Sequence, residues 1–118
     1  MAYLQKKITF CFDIDNTICK TKGRNYRYSK PNLKAIKTVN YLYDKGHIIK
    51  IFTARYMGRN NDSLPYKKKY FKQIKKQLDS WGLKYTKLII SKPSADIYVD
   101  DKSYGYKNTW IKKFLLIK

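Results

Sequence analysis

The chain has 118 residues, 43% of them apolar, and a formal net charge of +19, which allows one compact α/β domain but not a second one beside it. Its apolar runs are short and separated, well below the roughly 18 residues that a membrane span needs, and Met1 to Lys7 run straight into a strand-like segment without an apolar signal region. A membrane protein is therefore not expected, and the cytoplasm is the expected compartment.

Ile8 to Ile14 (ITFCFDI) is β-branched and aromatic, as expected of a strand buried on both faces of a parallel sheet. About a dozen polar and aromatic residues follow as a loop. Ser29 is placed to cap, and Pro31 to open, a helix whose apolar positions Ala35, Ile36, Val39, Leu42 and Tyr43 recur at helical spacing up to Gly46. His47 follows that stop and reads as a turn residue. Ile48 to Ala54 (IIKIFTA) reads as the second strand and Arg55 to Pro65 as a loop. A second helix is expected from about Tyr66 to Trp81, with Phe71, Ile74, Leu78 and Trp81 on one face and Gly82 as its stop. Leu88 to Ile90 and Asp96 to Val99 read as short strands around a Lys92-Pro93 turn, and the tail from Asn108 as a helix. Strands alternating with helices predict a three-layer, Rossmann-like parallel sheet with helices on both faces, whose ligands bind beyond the carboxyl ends of the strands.

Cys11 and Cys19 fit neither a zinc spacing nor a disulfide framework and read as a buried small side chain and an incidental loop thiol. The cations are 23 Lys against 4 Arg, in a chain rich in Tyr, Asn and Ile. Coding bias toward A/T-rich codons enriches those residue types together, whereas selected phosphate or base recognition favours Arg, whose planar fork binds bidentately. Most of the basic surface is accordingly read as compositional drift. The acids are the informative residues. There are eight Asp and no Glu, and four of the eight form the pairs Asp13/Asp15 and Asp100/Asp101, each at the end of an apolar run.

Where a strand breaks into a turn, two carboxylates one residue apart converge on a small volume and attract a hard divalent cation. With Asp100 as a third oxygen ligand, magnesium is the natural occupant. DIDNT (Asp13 to Thr17), Thr53 in IFTAR, Lys92 in SKP and Asp100-Asp101 in YVDD occur in that order. This ordered set resembles the haloacid dehalogenase superfamily of phosphohydrolases over nearly the whole chain. The resemblance implies that Asp13 is the nucleophile forming an aspartyl-phosphate and that Asp15 is the general acid and base. It implies that Thr53 and Lys92 hold the transferring phosphoryl group. Asp13, the main-chain carbonyl of Asp15, and Asp100 would hold Mg2+, with Asp101 behind them.

Members of that superfamily commonly carry an inserted cap domain, whereas here Ile18 to Lys30 fill the first insertion slot and a short loop the second. Among capless members, the DIDNT, IFTAR and KPSADIYVDDKS stretches resemble phosphatases of capsule and surface-polysaccharide biosynthesis, although Ser91 stands where glycine is expected. The resemblance implies a small sugar phosphate as substrate. An uncapped pocket needs cover from its own loops or a neighbouring subunit, so a homo-oligomer is expected. Lys20, Lys22, Arg24, Tyr26, Arg27 and Tyr28, with Arg55 just after Thr53, are candidate substrate contacts. Three other readings are open to this sequence. A phosphatase acting on nucleic-acid ends would use the basic surface, and a basic nucleic-acid-binding module would leave the acidic motifs unexplained. A receiver domain would place its Lys after the last acidic motif, which Lys92 does not follow.

Overall fold

The computed structural model describes residues 6–55, 64–90, 96–99 and 110–115. Strand β1 (Thr9–Asp13) is followed by a two-residue strand β2 (Cys19–Lys20), a 3-10 turn (Tyr26–Tyr28) and a second short strand β3 (Lys30–Pro31). Helix α1 (Leu33–Asp44), strand β4 (Ile48–Phe52), helix α2 (Leu64–Ser80), strands β5 (Lys87–Ile89) and β6 (Ile97–Val99) and helix α3 (Trp110–Phe114) complete the order. The main sheet is parallel, with order β5-β4-β1-β6, and β1 lies between β4 and β6. The chain is an α/β fold built on a parallel sheet.

Phe10 and Phe12 alternate onto one face of β1 and are fully buried there, Phe10 against Phe114 and Phe12 against Trp110. Helix α1 packs against both β4 and α3. The crossovers β1-α1-β4 and β4-α2-β5 step in the same direction, so right-handedness puts α1 and α2 on one face as well. On the other face, Cys11 is in register with Lys50, and Lys50 with Lys87. The described helices thus form one layer, where the sequence predicts layers on both faces.

Helix α1 is capped by Asn32, whose side chain accepts a hydrogen bond from the Ala35 N–H at 3.1 Å. Ser29 is not the cap and Pro31 is not in the first turn: Pro31 pairs with Cys19 across the short sheet, and the Ser29 hydroxyl is taken by Thr21. Tyr43 turns to solvent and Tyr41 packs on the core in its place. The expected loop after β1 is a small folded flap, closed by the antiparallel β2/β3 pair. His47 is likewise no turn residue. It is 4% exposed, packs edge-on against Phe10, and accepts the Ile8 N–H at Nδ1. Its burial lowers its pKa from the ordinary histidine value.

Candidate functional site

Asp13 closes β1 and is in register with Phe52, the last residue of β4. Asp13 and Thr53 therefore leave adjacent central strands side by side, at the carboxyl edge of the sheet. One Asp13 oxygen accepts the Ile14 N–H at 2.8 Å. Thr53 is 1% exposed, and its Oγ1 accepts the Arg55 N–H at 3.0 Å. A hydroxyl that accepts in this way keeps its own proton for another acceptor.

Beyond Asp13 the chain turns sharply. The N–H groups of Thr17, Ile18 and Cys19 converge on the Ile14 carbonyl at 3.0–3.3 Å, and Asn16 takes a left-handed conformation with φ 62°. Asn tolerates that region better than most side chains, which explains the fourth letter of DIDNT. The turn sends the Asp15 side chain toward the flap, where Arg55 meets it. Arg55 Nε lies 2.9 and 3.1 Å from the two Asp15 oxygens, and Nη2 lies 2.8 Å from Oδ1. Thr21 Oγ1 donates to the same Oδ1 at 2.6 Å.

Arg55, a candidate substrate contact from its place beside Thr53, is 4% exposed, and protein groups engage its guanidinium. Nη1 donates to Gln77 Oε1 at 2.6 Å, Nη2 reaches Ser29 Oγ at 3.3 Å, and the group lies 4.8 Å over the Tyr26 ring. Gln77 Nε2 in turn donates to the Tyr26 carbonyl at 2.8 Å. One arginine thus ties the turn after β1 to the flap and to α2. Neither Gln77 nor Ser29 carries a sequence signal for this role, because each is a lone polar residue whose partner lies 22 or more positions away.

Cys19 belongs to this cluster and is no incidental loop thiol. It is 3% exposed, with Sγ 3.8 Å from Asp15 Oδ1 and 3.5 Å from Thr21 Oγ1. Burial raises its pKa above the usual thiol value, with a smaller lowering from the Thr21 hydrogen bond, so it packs as a protonated thiol and is a poor nucleophile. Cys11 is buried in β1, as expected. Thr17 is buried too, and its Oγ1 has no hydrogen-bond partner.

Asp13, Asp15, Thr53 and Arg55 therefore come together, whereas Lys92, Asp100 and Asp101 lie outside the described residues. Among the described residues no group of three or more His, Cys, Asp or Glu is placed to hold a metal ion. The donors that are described suit a hard divalent cation. The Asp13 carboxylate stands at the end of β1 and the Asp15 carboxylate is engaged by Arg55, which leaves the Asp15 main-chain carbonyl as that residue's candidate ligand; magnesium takes carboxylate and carbonyl oxygens.

No family model and no curated protein matches the chain. Solved structures do. A conserved protein from Bacteroides thetaiotaomicron aligns with a TM-score of 0.62 and 17% identity over 95% of this chain and 90% of its own. A structural-genomics target from Vibrio cholerae aligns with a TM-score of 0.55 and 22% identity over 91% of this chain and 95% of its own. At these identities the likeness is one of fold. Among the described residues no helix is long and apolar enough to cross a membrane.

Proposed function

We propose that this chain is a magnesium-dependent phosphomonoester hydrolase of the haloacid dehalogenase type, without a cap domain, working through an aspartyl-phosphate. The observation that carries this reading is the register of β1 and β4, which brings Asp13 and Thr53 to the same carboxyl edge on adjacent strands, with the Arg55-held Asp15 two residues beyond Asp13. Phosphoryl transfer asks for positioning and charge stabilisation at one point, and ordered polar groups at a strand edge supply both.

In this scheme an Asp13 oxygen attacks phosphorus and the bond to the leaving oxygen breaks, while Asp15 gives that oxygen a proton. Asp15 then takes a proton from water, the water oxygen attacks the same phosphorus, and phosphate leaves with Asp13 restored. Both Asp15 oxygens sit in the Arg55 fork, so each transfer is accompanied by release of one of them, while Thr21 keeps the carboxylate from swinging away. Thr53 donates its hydroxyl proton to a phosphoryl oxygen, and Lys92 neutralises charge there. Asp13, the Asp15 carbonyl and Asp100 would hold magnesium, which when bound screens the phosphate charge and polarises phosphorus.

A small sugar phosphate is the proposed substrate, with the flap and a second copy of the chain as cover. One observation favours the nucleic-acid-end alternative: the flap and α2 border an open cationic cleft. Asp13→Asn tests the core of the reading, because an amide neither attacks phosphorus nor binds magnesium well. Wild-type turnover of a phosphomonoester by that variant, or full activity in excess chelator, refutes it.

A further inference from the structure

Between the flap and α2 lies a cleft of about 500 Å³, a size typical of small-ligand sites. Tyr26 and Arg27 form its flap wall, Gln73 and Lys76 its helix wall, and Arg55 and Gln77 the seam where the walls meet. Three of these side chains are cationic, and among the described residues no carboxylate lines the cleft. Neither Arg27 nor Lys76 forms a salt bridge among the described residues.

In a chain with 23 Lys, a lysine-rich surface says little, but the four arginines, Arg24, Arg27, Arg55 and Arg59, are scarce enough to be informative. Two of the four line this one cleft. Arg55 is also the boundary between the cleft and Asp15, since the same guanidinium lines the first and binds the second. The cleft therefore adjoins Asp15 through one shared side chain.

We infer that the cleft is a subsite for a second, non-transferred phosphate of the substrate, bound between Arg27 and Lys76. This rests on the phosphatase reading above and narrows its substrate class to compounds with a further phosphate near the one removed. That phosphate can belong to a small bisphosphate or be the neighbouring phosphodiester of an oligonucleotide.

The test is calorimetric titration of the full chain carrying Asp13→Asn, which prevents turnover. The probes are uridine 5′-monophosphate, uridine 3′,5′-bisphosphate and a 3′-phosphorylated tetranucleotide. The bisphosphate, the tetranucleotide or both should bind about tenfold tighter than the monophosphate, as for one added pair of charge-assisted contacts. Arg27→Ala with Lys76→Ala should remove that advantage, whereas Lys34→Ala with Lys37→Ala, two exposed residues of α1, removes the same net charge and should keep it. An advantage for the bisphosphate identifies a small substrate, and one for the tetranucleotide alone identifies a polymer end. No advantage, or an equal loss in both double variants, overturns the subsite. Turnover of p-nitrophenyl phosphate by the wild-type chain is read separately. Turnover without a second-phosphate advantage overturns only the subsite, and the absence of turnover overturns the phosphatase reading.

Discussion

Replacing Arg55 by methionine keeps much of the side-chain volume over Tyr26 and removes the charge and the fork. The Arg55 side chain is 2% exposed and that of Asp15 is 21% exposed, so the pair is shielded and little discount for solvent applies. Deleting one partner of a buried pair costs about 3–5 kcal/mol, because the other charge stays behind. Partial access of water to Asp15 puts this case at the low end, about 3 kcal/mol. With a urea m-value of about 1.5 kcal/mol/M, the unfolding midpoint should fall by about 2 M. Arg55→Lys keeps the charge but offers a point ammonium in place of the fork, and about half that loss is expected. A double-mutant cycle with Asp15→Asn isolates the pair from lost packing, and the coupling should reach about 1–3 kcal/mol. A midpoint for Arg55→Met within about 0.3 M of wild type, below what a net hydrogen bond is worth, would refute the argument that this pair organises the site.

Asp15→Asn should slow hydrolysis of alkyl phosphates by about 10²–10⁴-fold and that of p-nitrophenyl phosphate much less, since a good leaving group needs no proton; equal losses on both would remove Asp15 from the acid role. His47 gives a pH signature in stability. Its folded pKa lies below its unfolded value, so its contribution is complete above about pH 6.5 and is lost as the pH falls from there toward the folded pKa. Urea midpoints between pH 5 and 8 should show this decline and His47→Gln should flatten it, while an unchanged slope in the variant assigns the decline elsewhere.

Periodicity and strand chemistry made the fold legible. The apolar runs at Ile8 to Ile14 and Ile48 to Ala54 became β1 and β4, each within two residues at either end, and Gly46 and Gly82 end their helices with positive φ. The polar network was not legible, because its partners are far apart in the chain. Ser29 looks like a cap from its neighbours alone, yet its hydroxyl lies 2.6 Å from Thr21 and 3.3 Å from Arg55, and Asn32, three residues on, does the capping. Arg55 carried only half a signal. Its adjacency to the Thr53 motif marked it as part of the site, but a guanidinium next to an anion-binding motif reads as a substrate contact when the intervening acid cannot be seen turning toward it. An Asn directly after D-x-D, where a strand must stop, fits the left-handed residue that the turn requires at Asn16.

The described carboxylates show why the Asp15 pair stands apart in so basic a chain. Asp13 and Asp96 accept main-chain N–H groups, and Asp44 and Asp79 pair with Lys84 and Lys75 at positions about half exposed. Surface pairs of the latter kind contribute from nothing to about 1 kcal/mol, and with 23 lysines available they arise without selection. Asp15 is held by an arginine whose side chain is 2% exposed, with a donor from the flap on the carboxylate and an acceptor from α2 on the guanidinium. Holding a carboxylate in that way costs desolvation that an apolar pair of similar volume would avoid. The cost is offset if the carboxylate must present one orientation to a reacting group, and Asp15 lies two residues from Asp13 at the carboxyl edge of the sheet.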